Sequence, residues 1–254
     1  MLEIQQIPVL RDNYIYLIHL PDSGHTVAVD PAEAPPVMAA LARSGWSLTH
    51  IFNTHHHADH VGGNLELKQS TGCEIVGADQ DAPRIPGLDR RVNDGECFRL
   101  GNLEVRVMAV CGHTTGHVAY WLPEASTLFV GDTLFSLGCG RLFEGTADQM
   151  WASLERIRAL PPDTRIYCAH EYTEANARFA ITVEPDNRDL QQRLEEIRSL
   201  RQRGLPTVPS LLSGERACNP FLRPESPAIR AVLGLMQADN VTVFSTLRRM
   251  KDVF

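Results

Sequence analysis

The chain has 254 residues and a net charge of −7, enough length to bury a sizeable core in one large domain or one domain with a small extension. The acidic balance speaks against a nucleic-acid partner, which needs a basic face, and no apolar run is long enough to cross a bilayer. Residues 1–6 have neither the basic nor the apolar region of a signal peptide, and the six cysteines show no CxxC pair, so they read as reduced thiols of a cytoplasmic protein.

Short apolar runs separated by turn residues predict strands at 14–18, 26–30, 48–53, 74–77, 103–110, 117–122 and 127–130. Helices are expected at 36–43, 63–70 and 149–160; in the last, Trp151, Leu154 and Ile157 share one face. Beyond His170 the texture changes. The charged stretch 189–203 carries Leu190, Leu194 and Ile197 on one stripe and stops at Gly204, and 227–237 and 241–251 also read as helices. We therefore expect a division near residue 170, into a β-rich domain 1–170 and a helical domain 171–254. Periodicity alone gives only mixed α and β.

The densest chemical signal is Thr54-His55-His56-His57-Ala58-Asp59-His60, followed by Gly62-Gly63. His55, His57, Asp59 and His60 place four strong metal ligands within six residues. They are expected on a loop leaving the strand end, with the glycines letting the chain turn tightly. In extended backbone His55 and His57 point the same way and can share one ion, while Asp59 and His60 can serve a second. A purification tag would sit at a terminus without an interleaved Asp. Three further candidates close apolar runs: His113 after 103–110, Asp132 after 127–131 and His170 after 165–169. Each alone is weak, since a polar residue at a strand end is commonly a cap. His117 opens the next strand and is the weaker partner of His113. Seven ligands exceed one tetrahedral zinc and suit two ions with a bridging carboxylate. The ligand chemistry accordingly predicts a dinuclear metallohydrolase, with zinc favoured and iron or manganese compatible. Cys139 and Cys168 read as small buried hydrophobes.

The T-H-x-H-x-D-H motif with the later His113, Asp132 and His170 resembles the metallo-β-lactamase superfamily. Within it the chain resembles glyoxalase II, the hydroxyacylglutathione hydrolases, nearly end to end. The more specific segments are Gly138-Cys139-Gly140-Arg141-Leu142-Phe143-Glu144-Gly145, His170-Glu171-Tyr172-Thr173, Asn219-Pro220-Phe221-Leu222-Arg223 and Arg248-Arg249-Met250-Lys251-Asp252. The resemblance implies an α/β fold, the αββα sandwich, with metals at one edge of the sheets and a small helical C-terminal domain. It implies that His55, His57 and His113 hold one ion, that Asp59, His60 and His170 hold the other, and that Asp132 bridges them. A hydroxide between the ions would attack the thioester carbonyl of an S-(2-hydroxyacyl)glutathione such as S-D-lactoylglutathione, releasing D-lactate, the second step of methylglyoxal detoxification. Arg141, Arg248 and Lys251 would hold the glutathione carboxylates, with a hydrogen bond from Tyr172. Position 141 is often Lys in the family, and position 143 often Tyr; Phe143 lacks that hydroxyl. A monomer acting on a small molecule, with no membrane or nucleic-acid partner, is expected.

Other readings compete. A glutathione persulfide dioxygenase of the same superfamily shares part of the ligand set but is not expected to carry N-P-F-L-R and R-x-x-K-D. The acidic balance speaks against an RNA-processing nuclease, and the glutathione-type C-terminus speaks against a β-lactamase. A non-enzymatic metal-binding module would need neither two ions nor an open position.

Overall fold

The computed structural model describes residues 2–254; Met1, the first residue of both the N-terminal segment and the expected 1–170 domain, lies outside them. Contacts divide the chain into two compact units, Met1–Ala109 with Thr115–Gly131, and Val110–Thr114 with Asp132–Phe254.

The first unit holds a six-stranded mixed sheet in the order β1-β2-β3-β4-β5-β6. Its strands are β1 (Glu3–Val9), β2 (Asn13–Leu20), β3 (His25–Val29), β4 (His50–Phe52), β5 (Glu74–Ala78) and β6 (Arg90–Val92). β1 to β3 pair antiparallel and β3 to β6 parallel. The same unit holds β7 (Cys97–Leu100), β8 (Leu103–Ala109), β9 (Val118–Leu122) and β10 (Thr127–Gly131), antiparallel in the order β10-β9-β8-β7.

Strand alternation explains how both faces of the first sheet are covered. Ile15 and Leu17 of β2 join Ala28, Ile51 and Ile75 in a core shared with helix α1 (Ala34–Ser44), through Val37, Ala40 and Leu41, and with Leu67. The intervening Tyr16 faces Phe129 of β10 at 5.5 Å, and Phe52 of β4 stacks on Tyr120 of β9 at 4.7 Å. The helices therefore cover one face of the sheet and β7 to β10 the other. The Tyr120 hydroxyl is buried and donates to the Asn53 carbonyl at 2.9 Å, which satisfies a polar group inside this layer.

Two short helices follow β4. The segment expected as a loop contains one helical turn, α2 (Ala58–Val61), before α3 (Asn64–Thr71), so Asp59 and His60 sit on a helix rather than on a loop. Gly62 and Gly63 also act differently from the expected turn. Their φ values are −61° and −84°, ordinary right-handed backbone. What requires glycine is proximity: a Cβ at Gly62 would lie 2.5 Å from the Ala32 carbonyl oxygen, and one at Gly63 2.8 Å from that of Pro31.

The second unit contains the hairpin β11 (Leu134–Phe135) and β12 (Gly138–Cys139), the pair β13 (Arg165–Cys168) and β14 (Ser210–Leu211), and six helices. These are α4 (Ala147–Arg158), α5 (Thr173–Val183), α6 (Arg188–Gln202), α7 (Leu212–Cys218), α8 (Pro227–Leu233) and α9 (Asn240–Val253). Thr146 and Gln149 close a capping box at α4; Asn187 and Asp239 cap α6 and α9. Leu190, Leu194 and Ile197 of α6 pack on Ala177 and Ala180 of α5 as their spacing predicts. Phe221 joins a chain of rings with Phe179 at 5.9 Å and Phe244 at 6.1 Å. No helix among the described residues is long and apolar enough to cross a membrane.

Gly62→Ala should lower stability by about 1–3 kcal/mol, because the obstacle is backbone and the added methyl overpacks it. Urea denaturation checks this; an unchanged or raised midpoint contradicts the proximity argument.

Candidate metal centre and substrate pocket

In the first unit, the Thr54–His60 segment is organised by one carboxylate that the sequence reading passed over. Asp30, buried at the end of β3, accepts from the Thr54 backbone N–H and from the Thr54 hydroxyl, each at 2.7 Å. Because the hydroxyl proton is spent on Asp30, the Thr54 oxygen can only accept from His55 Nδ1, 3.1 Å away. His55 then presents Nε2 outward, 3.0 Å from His57 Nδ1. The other Asp30 contact is to His60, whose Nδ1 lies 3.0 Å from Oδ2, and His60 Nε2 lies 3.6 Å from Asp59 Oδ2. Asn13 Nδ2 donates to Asp59 Oδ2 at 3.0 Å. His117 is buried and stacks flat on His55 at 4.6 Å. His56, between two candidate ligands, donates from Nδ1 to buried Asp81 at 2.9 Å and so turns away from them.

In the second unit, Asp132 is the meeting point. Its Oδ2 lies 3.5 Å from His113 Nε2 and 3.3 Å from His170 Nε2. His113 Nδ1 donates to the Arg141 carbonyl at 2.9 Å, which fixes the proton on that nitrogen. In the neutral ring, Nε2 therefore turns a lone pair towards a carboxylate oxygen, and that pairing calls for a cation. Ligand atoms around a tetrahedral zinc stand roughly 3.3 Å apart, given Zn–N distances of about 2.0–2.1 Å. The separations within each unit match that spacing, and the donors are the imidazoles and carboxylates that suit zinc and iron. The residues thus fit a metal.

A cavity of about 410 Å³ in the second unit is lined by His113 and Asp132 together with Arg141, Phe143, Tyr172, Arg248 and Lys251. Tyr172 stacks on His170 at 4.7 Å with 4° between the rings, and Phe143 lies 5.0 Å from His113. The three cations differ. Arg141 is exposed, while Arg248 is 5% exposed and donates to the Cys139 carbonyl at 2.6 Å, with Asp252 at 3.1 Å. Burial, reinforced by Arg248, Arg141 and Arg178, holds the Lys251 ammonium below the usual lysine range. Such crowding of positive charge marks an anion site. Cys139 lines the pocket, but burial pushes its thiol up to about 11 and that of Cys168 to about 12, so both stay protonated at neutral pH.

Two family models together span nearly the whole sequence: the metallo-beta-lactamase superfamily matches residues 9–170 and the hydroxyacylglutathione hydrolase C-terminus matches 171–254. A hydroxyacylglutathione hydrolase of Methylococcus capsulatus is 63% identical over 254 residues, covering 100% of this chain and 99% of that one. Among solved structures, ETHE1 from Myxococcus xanthus superposes with a TM-score of 0.68 at 24% identity, covering 97% of this chain and 96% of that chain. TTHA1623 in a di-iron-bound form superposes with a TM-score of 0.56 at 28% identity, covering 66% of this chain and 91% of that chain. The chain belongs to the metallo-beta-lactamase superfamily and, within it, to the hydroxyacylglutathione hydrolases. Its fold is accordingly the metallo-beta-lactamase fold with a helical C-terminal region.

Asp30 should behave as a ligand-orienting residue. Asp30→Ala leaves Thr54 and His60 without their shared carboxylate and releases the Thr54 hydroxyl that orients His55, and metal affinity should fall about 10- to 100-fold, as for other outer partners of ligand histidines. Competition against a chromophoric chelator measures it; wild-type affinity in the variant contradicts the role.

Proposed function

We propose that this chain hydrolyses the thioester of S-(2-hydroxyacyl)glutathione, S-D-lactoylglutathione being the substrate of choice for a test, to glutathione and the 2-hydroxy acid. The observation that carries the reading is the pocket: His113 and Asp132, on which His170 also converges, share one cavity with Arg141, Arg248 and Lys251. Chemistry for a carbonyl and charge for a carboxylated carrier thus line the same space. The 63% identical relative named hydroxyacylglutathione hydrolase supports the same substrate class.

His55, His57 and His113 would hold one divalent ion and Asp59, His60 and His170 the other, with Asp132 bridging. Zinc suits these donors, and the di-iron form of TTHA1623 supports iron as a second occupant. When bound, two such ions lower the pKa of water and polarise a carbonyl oxygen. The chain's own residues do the rest. Asp30 and the Arg141 carbonyl keep the imidazole tautomers in the ligand state. Tyr172 and Phe143 flank the ligand rings and limit water on that side. Lys251 and Arg141 hold the glutathione carboxylates, and Arg248 contributes positive charge from the pocket wall. Thiolate is a good leaving group, and no strong protein acid is required. We further propose the division into domains 1–170 and 171–254, which the two family-model matches support, and a cytoplasmic monomer. A glutathione persulfide dioxygenase is the weaker reading, since the 24% identity to ETHE1 speaks for the fold alone.

Steady-state hydrolysis of S-D-lactoylglutathione by the purified chain tests the reading, and absence of turnover with metal bound refutes it. Asp132→Asn should lose metal and at least about 10²-fold in kcat, the scale of a lost electrostatic element; near-normal turnover with full metal content contradicts the bridging role.

Lys251 gives a separate handle on binding. The protonated amine binds a carboxylate and the neutral amine does not, so KM should rise as pH climbs through the lowered Lys251 pKa, earlier than for an ordinary lysine. Lys251→Arg, charged throughout, should move that rise to higher pH. Lys251→Ala should raise KM about 10- to 100-fold with kcat little changed, and the defect should shrink for a thioester lacking glutathione. A KM independent of both pH and these substitutions removes Lys251 from the binding site.

A further inference from the structure

The 134–139 hairpin lies between two parts of the site, with Asp132 two residues before it and Arg141 two residues after. Its strands pair at only two positions, Leu134 with Cys139 and Phe135 with Gly138, too little to hold a ribbon in place. Leu137, at the turn, adopts a left-handed φ of 58°, which disfavours a branched side chain.

What holds it comes from far along the chain. Asn219 Nδ2 donates to the carbonyls of Phe135 and Gly138 at 3.1 and 3.0 Å. Glu215 Oε2 accepts from the Leu137 N–H at 2.8 Å and from Asn219 Nδ2 at 3.0 Å. Asn176 Nδ2 donates to the Ser136 carbonyl at 3.1 Å, and it sits so close to Gly138 that a Cβ there would lie 2.4 Å away. Arg248 donates to the Cys139 carbonyl. All four side chains are at most 6% exposed. A buried carboxylate and two buried amides cost desolvation unless matched, and here the match is the backbone of one short ribbon.

The ribbon is tied in turn to the site. The Gly140 N–H donates to the Thr133 carbonyl at 3.1 Å, and a Cβ at Gly140 would fall 1.9 Å from the Asp132 carbonyl oxygen, so residue 140 abuts the Asp132 backbone. The next carbonyl, of Arg141, fixes the His113 tautomer.

We propose that Asn176, Glu215 and Asn219, with Arg248, are positioning residues for the hydrolysis: by gripping the 134–139 hairpin they set the placement of Asp132 and of the Arg141 carbonyl. The helices after residue 171 then govern turnover as well as glutathione affinity. The proposal rests on the thioesterase reading for its reaction, but the grip itself is tested apart from it.

The test uses the full chain with Glu215→Ala, Glu215→Gln and Asn176→Ala. Amide hydrogen exchange of the metal-free protein reads the grip: exchange should accelerate in 134–141 for both alanine variants and stay near wild type for Glu215→Gln, which keeps an acceptor for the Leu137 N–H. Zinc affinity should fall about tenfold or more in the alanine variants, the scale of a lost outer-shell partner. The kcat should fall similarly on S-D-lactoylglutathione and on a thioester lacking glutathione, with KM within about twofold, and Glu215→Gln should recover most of it. Unchanged exchange and zinc affinity in folded alanine variants overturn the proposal, as does a defect confined to KM for the glutathione thioester. Should Glu215→Ala not fold, Asn176→Ala carries the same comparison. Wild-type protein that hydrolyses neither thioester sinks the thioesterase reading, while the exchange and zinc results still decide the grip.

Discussion

Asp132 Oδ2 faces the Nε2 atoms of His113 and His170 at 3.5 and 3.3 Å, and much of the second unit is arranged around that meeting. Left to itself, a carboxylate oxygen opposite an imidazole lone pair is repulsive; a cation turns the repulsion into coordination. The chain enforces the placement with backbone rather than with side-chain flexibility. The Arg141 carbonyl fixes one ring, Tyr172 stacks on the other, and Gly140 leaves no room for Asp132 to retreat. The first unit repeats the principle with Asp30, which dictates the Thr54 hydroxyl and, through it, the outward nitrogen of His55. In both units a second layer of hydrogen bonds decides which imidazole nitrogen is turned outward.

Charge is arranged with similar economy. The chain as a whole is acidic, at −7, yet the pocket gathers Arg141, Arg248 and Lys251, where burial, and after it the neighbouring arginines, lowers the Lys251 pKa. Local field, not net charge, decides what the pocket attracts. Asp252 tempers this, 3.1 Å from Arg248 and 4.0 Å from Arg141. Reading Arg248 and Lys251 as one pair, as their shared motif invites, misses that they are differently committed: Arg248 is buried on the Cys139 carbonyl, and Lys251 is half-buried near the rings of Phe179 and Phe254.

Candidate ligands at strand ends are legible in the sequence because they obey a local rule: an apolar run, then a donor. The same rule covers Asp30, which closes the run 26–30 and stands behind the candidate ligands. Strands β2 to β5 and β8 to β10 came through clearly, while β1, with Gln5, Gln6 and Pro8, lacks clean alternation and was not anticipated. The hairpin β11–β12 could not be seen from periodicity at all. Two-residue strands have no period, and their support comes from Asn176, Glu215, Asn219 and Arg248, up to 109 residues away. Gly62 and Gly63 show the complementary failure: glycine was correctly singled out, but for conformational freedom, whereas the structure uses its missing Cβ.

The central proposal is that turnover needs two metal ions per chain. Back-titration of metal-free protein with Zn²⁺, following turnover of S-D-lactoylglutathione at each step, tests it most directly. The account predicts that activity rises to its plateau only as the second equivalent binds. Full activity at one ion per chain, with no further gain from a second, would contradict it.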